Sequence, residues 1–141
     1  MKKRSIIGLL ILLSAIAITS ILLSANKGGD ISKVKLESSE SQLYTQEDIK
    51  AVMDIVLDYF KREFKGCSLR ELWYDEGVSN RDSVGWAEQY EADEAIVLLS
   101  NFDVDASGGD GSLNPNTSYR DWQWILVRNK GGKWELKTWG Y

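Results

Sequence analysis

One uncharged apolar run, Ile6 to Ala25, sets the first limit on what this chain can build. Lys2, Lys3 and Arg4 precede it, and only small or hydroxyl residues such as Gly8, Ser14 and Thr19 relieve it. Twenty helical residues would extend roughly 30 Å, the thickness of a bilayer core. The apolar core of a removable signal peptide is usually shorter, about 7–15 residues. Leu23 also stands where cleavage after Ala25 would want a small side chain. The run therefore reads as a retained single transmembrane helix, with a cleaved signal peptide as the alternative. The leading basic cluster is tighter than Lys27, Lys33 and Lys35 behind the run. The positive-inside rule then places the rest of the chain outside the cell membrane. If the segment is cleaved, the protein is secreted.

The residues that follow divide in two. Residues 26–43 are polar and rich in Ser, Gly and Lys, and read as a flexible linker. Residues 44–141 carry the apolar periodicity and read as one extracytoplasmic domain. Four of the 17 basic residues precede residue 30 and no acid does, which leaves 13 bases against 21 acids from there on. An acidic domain of that kind argues against nucleic acid, whose phosphates need a basic face. With no histidine there is no imidazole base and no histidine metal ligand. With one cysteine there is no internal disulfide and no multi-thiolate metal centre. The expectation is a non-catalytic domain.

Within the domain, Thr45 can cap a helix whose apolar positions fall at Ile49, Val52, Met53, Val56, Leu57, Phe60 and Phe64, with Gly66 as its stop. Strands are predicted over 67–75, 95–103, 119–129 and 134–141, and a short helix over 81–90. Lys130 to Lys133 has the composition of a hairpin turn. The predicted fold class is α+β: a long N-terminal amphipathic helix packed on a curved antiparallel sheet, NTF2-like or cystatin-like, behind the transmembrane helix.

Three blocks, FKGCSLRELWYDE (64–76), AIVLLSNFDVDASGGDGSLNPNTSY (95–119) and WILVRNKGGKWELKTWGY (124–141), resemble a family of small secreted or lipid-anchored Firmicutes proteins. That family is chiefly clostridial and uncharacterised in function. The resemblance implies an extracytoplasmic NTF2-like domain in a Gram-positive bacterium. It implies no activity. The chain departs from the lipoprotein pattern in lacking a cysteine just after the apolar run.

Two stretches are candidate sites. Asp103, Asp105 and Ser107 alternate, with Gly108 next and Asp110 and Asn114 further on. This resembles the opening of a calcium loop, in which alternate oxygen ligands converge ahead of a glycine turn. Asn114 stands where a bidentate Glu is usual. Calcium is thus the one candidate cofactor; otherwise none is expected. The second stretch is aromatic. Trp122 and Trp124 share a strand face, and Trp134 follows on the neighbouring strand. Stacked indoles can hold a sugar ring, a peptide or a small apolar ligand, and large aromatics also fill small cores. The expected function is a binding or interaction module at the cell envelope. Its partners would be the membrane through residues 6–25 and an envelope protein, peptide or glycan. The alternatives are a calcium-stabilised structural module and a pocket enzyme of the NTF2-like type.

Overall fold

The computed structural model describes residues 28–141. The anchor assigned to residues 1–25 lies outside the described residues. Among those described, no helix is long and apolar enough to cross a membrane.

The chain forms strand β1 (Lys35–Ser38), helix α1 (Gln46–Glu63), strand β2 (Cys67–Tyr74), helix α2 (Glu76–Gln89) and strands β3 (Glu94–Val104), β4 (Ser118–Arg128) and β5 (Glu135–Gly140). All five strands join one sheet in the order β1-β2-β3-β4-β5. The β2–β3, β3–β4 and β4–β5 pairs are antiparallel, whereas β1 runs parallel to β2.

This corrects the predicted fold class. The sheet is mixed, not antiparallel, and two helices of 18 and 14 residues pack on it, one on each face. The reason is local. Strand β1 is a polar tetrapeptide, KLES, exposed throughout, so apolar patterning does not announce it. It lies inside the stretch read as a linker. That stretch folds back on the body: Asp30 N–H donates to Cys67 O at 2.8 Å, and Leu69 N–H donates to Asp30 O at 2.8 Å. Gly29 N–H donates to Lys61 O at 3.1 Å. The approach is so close that a Cβ on Gly29 would lie 2.3 Å from Phe60 O, so only glycine fits.

Strand alternation explains why both faces are apolar. On the α1 side, Ile49, Val52, Met53, Val56 and Phe60 pack against Leu69, Leu72, Ile96, Leu98, Trp124 and Leu126. On the α2 side the cluster is small: Ala87, Ala95 and Val127, with Trp86 and Tyr90 leaning on it. Thr45 caps α1 by accepting from Asp48 N–H at 3.1 Å, and Asp75 caps α2 by accepting from Val78 N–H at 2.8 Å. Helix α2 is further pinned by Ser79. Its buried hydroxyl accepts from Val97 N–H at 3.1 Å, beyond the reach of β2, which ends opposite Leu98.

Candidate ligand cleft

The C-terminal end of α1 meets the far ends of β4 and β5 around an aromatic cleft of about 430 Å³. Tyr59 comes from the last turns of α1, Phe64 from the cap just after it, Trp122 from β4 and Trp139 from β5. Leu113 and Gly109, from the 105–117 loop, supply another wall. A volume of this size lies in the range of small-ligand sites, which are typically about 300–1,000 Å³ and mostly apolar with few polar groups.

Trp139 reaches the cleft through an irregularity in β5. Trp124 pairs with Trp139 and Leu126 pairs with Leu136, so an extra residue sits between them on β5. That bulge brings both Leu136 and Trp139 to the α1 side. Trp139 stays 39% exposed, with its ring 4.8 Å from that of Tyr59 and 6.2 Å from that of Trp124. It is a platform, not a plug.

The loop opposite is fastened by its own hydrogen bonds. Asp105 N–H donates to Gly66 O at 2.9 Å, Leu113 N–H to Gly108 O at 2.9 Å and Asn116 N–H to Asp105 O at 3.0 Å. Gly108, Gly109, Asp110 and Gly111 all have positive φ, so the composition that reads as turn-forming is needed for this path. Of the five side chains expected to bind calcium, those of Asp103, Asp105 and Ser107 take part in hydrogen bonds within the fold. Asp103 lies within β3 and accepts from Arg70 Nε at 2.7 Å on β2 and Ser118 Oγ at 2.6 Å on β4. These bonds hold its carboxyl below the usual range. Asp105 accepts from Ser107 N–H at 2.8 Å and from the Ser107 hydroxyl, closing a local turn. Asp110 is exposed, and Asn114 is held through its backbone N–H, which donates to Tyr119 OH at 3.1 Å. Among the described residues, no three acidic or cysteine side chains converge on a point where a metal could sit.

The three tryptophans singled out in the sequence separate. Trp124 is fully buried in the core and donates through Nε1 to Ser100 Oγ at 2.8 Å. Trp134 is buried at the opposite end of α1, where Nε1 donates to Asp48 Oδ1 at 3.1 Å. The Arg128 guanidinium lies 4.3 Å from its ring and binds Asp48 at 2.6 Å and Glu94 at 2.7 Å. Only Trp122 lines the cleft. It is 9% exposed, and its Nε1–H is buried without a hydrogen-bond partner, the one such side-chain atom found among the described residues. Sequence reasoning missed Tyr59, Phe64 and Trp139 as companions. For Trp139 the signal was the hairpin turn, which sets it against Trp124 once a bulge is allowed.

Few titratable side chains line the cleft. Burial pushes the Cys67 thiol up to about 11, with Asp105 and Asp110 adding to the effect, so it is protonated at neutral pH. Burial also raises Tyr59, and nearby Glu63 adds to this. Glu63 is the only charged side chain among the described lining residues, and Arg62 Nη1 lies 3.5 Å from its carboxylate. Away from the cleft, the hydrogen-bonded cluster at Glu76 is a clasp. Glu76 accepts from Ser41 Oγ at 2.6 Å, from Gln42 N–H at 2.9 Å and from Tyr74 OH, tying the 39–44 segment to the start of α2. No family model, curated protein or solved structure matches the chain. The Firmicutes resemblance therefore rests on the three quoted blocks alone.

Proposed function

We propose that this chain is a non-catalytic binding module of the cell envelope that holds a small, uncharged, ring-shaped ligand in the cleft between α1, β4, β5 and the 105–117 loop. The observation that carries this reading is the exposed indole platform of Trp139, set among Tyr59, Phe64, Trp122 and Leu113 in one aromatic cleft. Clefts of this size with mostly apolar and aromatic walls and few polar groups are the usual form of small-ligand sites. The protonated Cys67 and the absence of histidine favour binding over catalysis. The location is supported by the sequence: attachment at the membrane through residues 6–25 if that run is retained, secretion if it is removed.

The reading is tested by calorimetric titration of the full chain with p-cresol and with cyclohexanol, which are neutral rings bearing one hydroxyl. Saturable binding to the wild type, weakened at least tenfold in Trp139→Ala, is the expected outcome. Absence of saturable binding by both probes, or equal binding by the variant, would overturn it.

A further inference from the structure

The chain enters its folded part beside the cleft. Gly28 is the first described residue, and a Cβ on it would collide with Lys61 O. Gly29 N–H donates to Lys61 O, and Asp30 N–H donates to Cys67 O. Residues 28–30 are thus fixed against the end of α1 and the start of β2. Glu63, Phe64 and Cys67, from that same stretch, line the cleft. Only Asn26 and Lys27 stand between Ala25, the last residue of the apolar run, and Gly28, and these three steps reach at most about 11 Å. With residues 6–25 held in the bilayer, a reading on which the placement below rests, the C-terminal end of α1 stays at the membrane surface. The N-terminal end of this 18-residue helix lies about 27 Å away.

The surface at the tethered end matches that position. Among the described aromatic side chains, Trp139 and Tyr141 are the exposed ones. Both lie here: Trp139 walls the cleft beside Tyr59, and the Tyr141 ring is 5.3 Å from that of Trp122. Tryptophan and tyrosine favour the membrane–water interface, where an apolar ring body and a polar tip are both accommodated. At the other end of α1, Trp134 is buried and bonded to Asp48. The trough on the far side of Cys67 carries three basic and four acidic side chains, Lys65 and Asp110 among them. Such a balance suits zwitterionic headgroups, whereas an anionic lipid surface would call for a basic cluster.

We propose that the cleft end of α1 rests on the zwitterionic bilayer surface to which the chain is attached, with Trp139 and Tyr141 in the interface and Trp134 turned toward water. The cleft then opens at the lipid surface.

The test places the full wild-type chain in phosphatidylcholine nanodiscs, with and without a spin label on the lipid headgroup, and follows the indole N–H signals. All six tryptophans lie beyond residue 27, so each signal reports on the described residues. The Trp139 signal is expected to be broadened away by the label while that of Trp134 persists. Equal broadening of the two, or greater broadening of Trp134, overturns the inference. No broadening at any tryptophan in a chain that stays with the nanodiscs overturns it too, while leaving the attachment. A chain that elutes apart from the nanodiscs removes the attachment and the inference together. In every case the p-cresol titration decides separately whether the cleft binds a ligand.

Discussion

Helix α1 meets tryptophans at both ends, and the two ends are finished differently. At its N-terminal end, Trp134, Asp48, Arg128 and Glu94 satisfy one another: the indole donates to the carboxylate, the guanidinium bridges two acids, and the ring lies against the guanidinium. At its C-terminal end, Trp122 keeps a buried donor unpaired and Trp139 keeps more than a third of its surface in water. The same residue types serve stability at one end and leave unmet bonding capacity at the other. Locally consistent packing is the rule in a folded chain, and departures from it concentrate where a ligand completes the structure.

The contrast can be broken most forcefully by removing one ring from each end. Trp134→Ala is expected to cost about 3–5 kcal/mol in denaturant unfolding, the usual range for truncating a buried aromatic residue. Trp139→Ala, on an exposed edge, is expected to cost about 1 kcal/mol while weakening ligand binding as stated above. Similar stability costs at the two positions would erase the distinction.

A finer cut removes only the indole nitrogen. Trp124→Phe loses the bond to Ser100 and is expected to cost about 2 kcal/mol. Trp122→Phe removes a donor that has no partner, so the relief offsets the lost volume and stability stays within about 1 kcal/mol of wild type. A large loss in Trp122→Phe would mean that its N–H is satisfied within the fold.

Acid provides the mildest probe. Burial pushes Asp48 up, but hydrogen bonds from Arg128 and Trp134 outweigh it, so its carboxyl titrates below the ordinary value. A depressed folded-state pKa adds stability that is present above the unfolded value of about 3.9 and lost as pH falls through the folded one. Melting temperature is therefore expected to drop below about pH 4, and less steeply in Asp48→Asn. An identical acid profile in that variant would detach the closed end from the acid response.

These features were unequally legible in the sequence. The apolar positions of the α1 stripe and of β3 and β4 announce burial because large side chains recur at the period of each element. Strand β1 does not, since a four-residue polar edge strand is specified by its parallel partner and not by its own composition. Helix α2 carries Gly77 and Gly85 and buries only Ser79 and Ala87, so its pattern is faint and the covering of the second face could not be read from it. The Asp103 to Asn114 spacing resembles a calcium loop, yet Asp103 belongs to β3, where strand neighbours Arg70 and Ser118 claim its carboxylate. Spacing alone does not reveal such long-range partners. The aromatic site was half legible. Tryptophan richness pointed to a ligand surface, but Trp124 and Trp134 went to the interior, and the β5 bulge brought Trp139 to the cleft that Trp122 also lines.

The cleft as binding site is tested most directly by following the indole N–H resonances of all six tryptophans in the full chain as p-cresol is added. Trp122 and Trp139 are expected to shift together and to saturate, with Trp134 and Trp86 unmoved. No saturable shift at Trp122 and Trp139, or a larger response at Trp134 or Trp86, would contradict the assignment of the open end of α1 as the site where this protein holds its ligand.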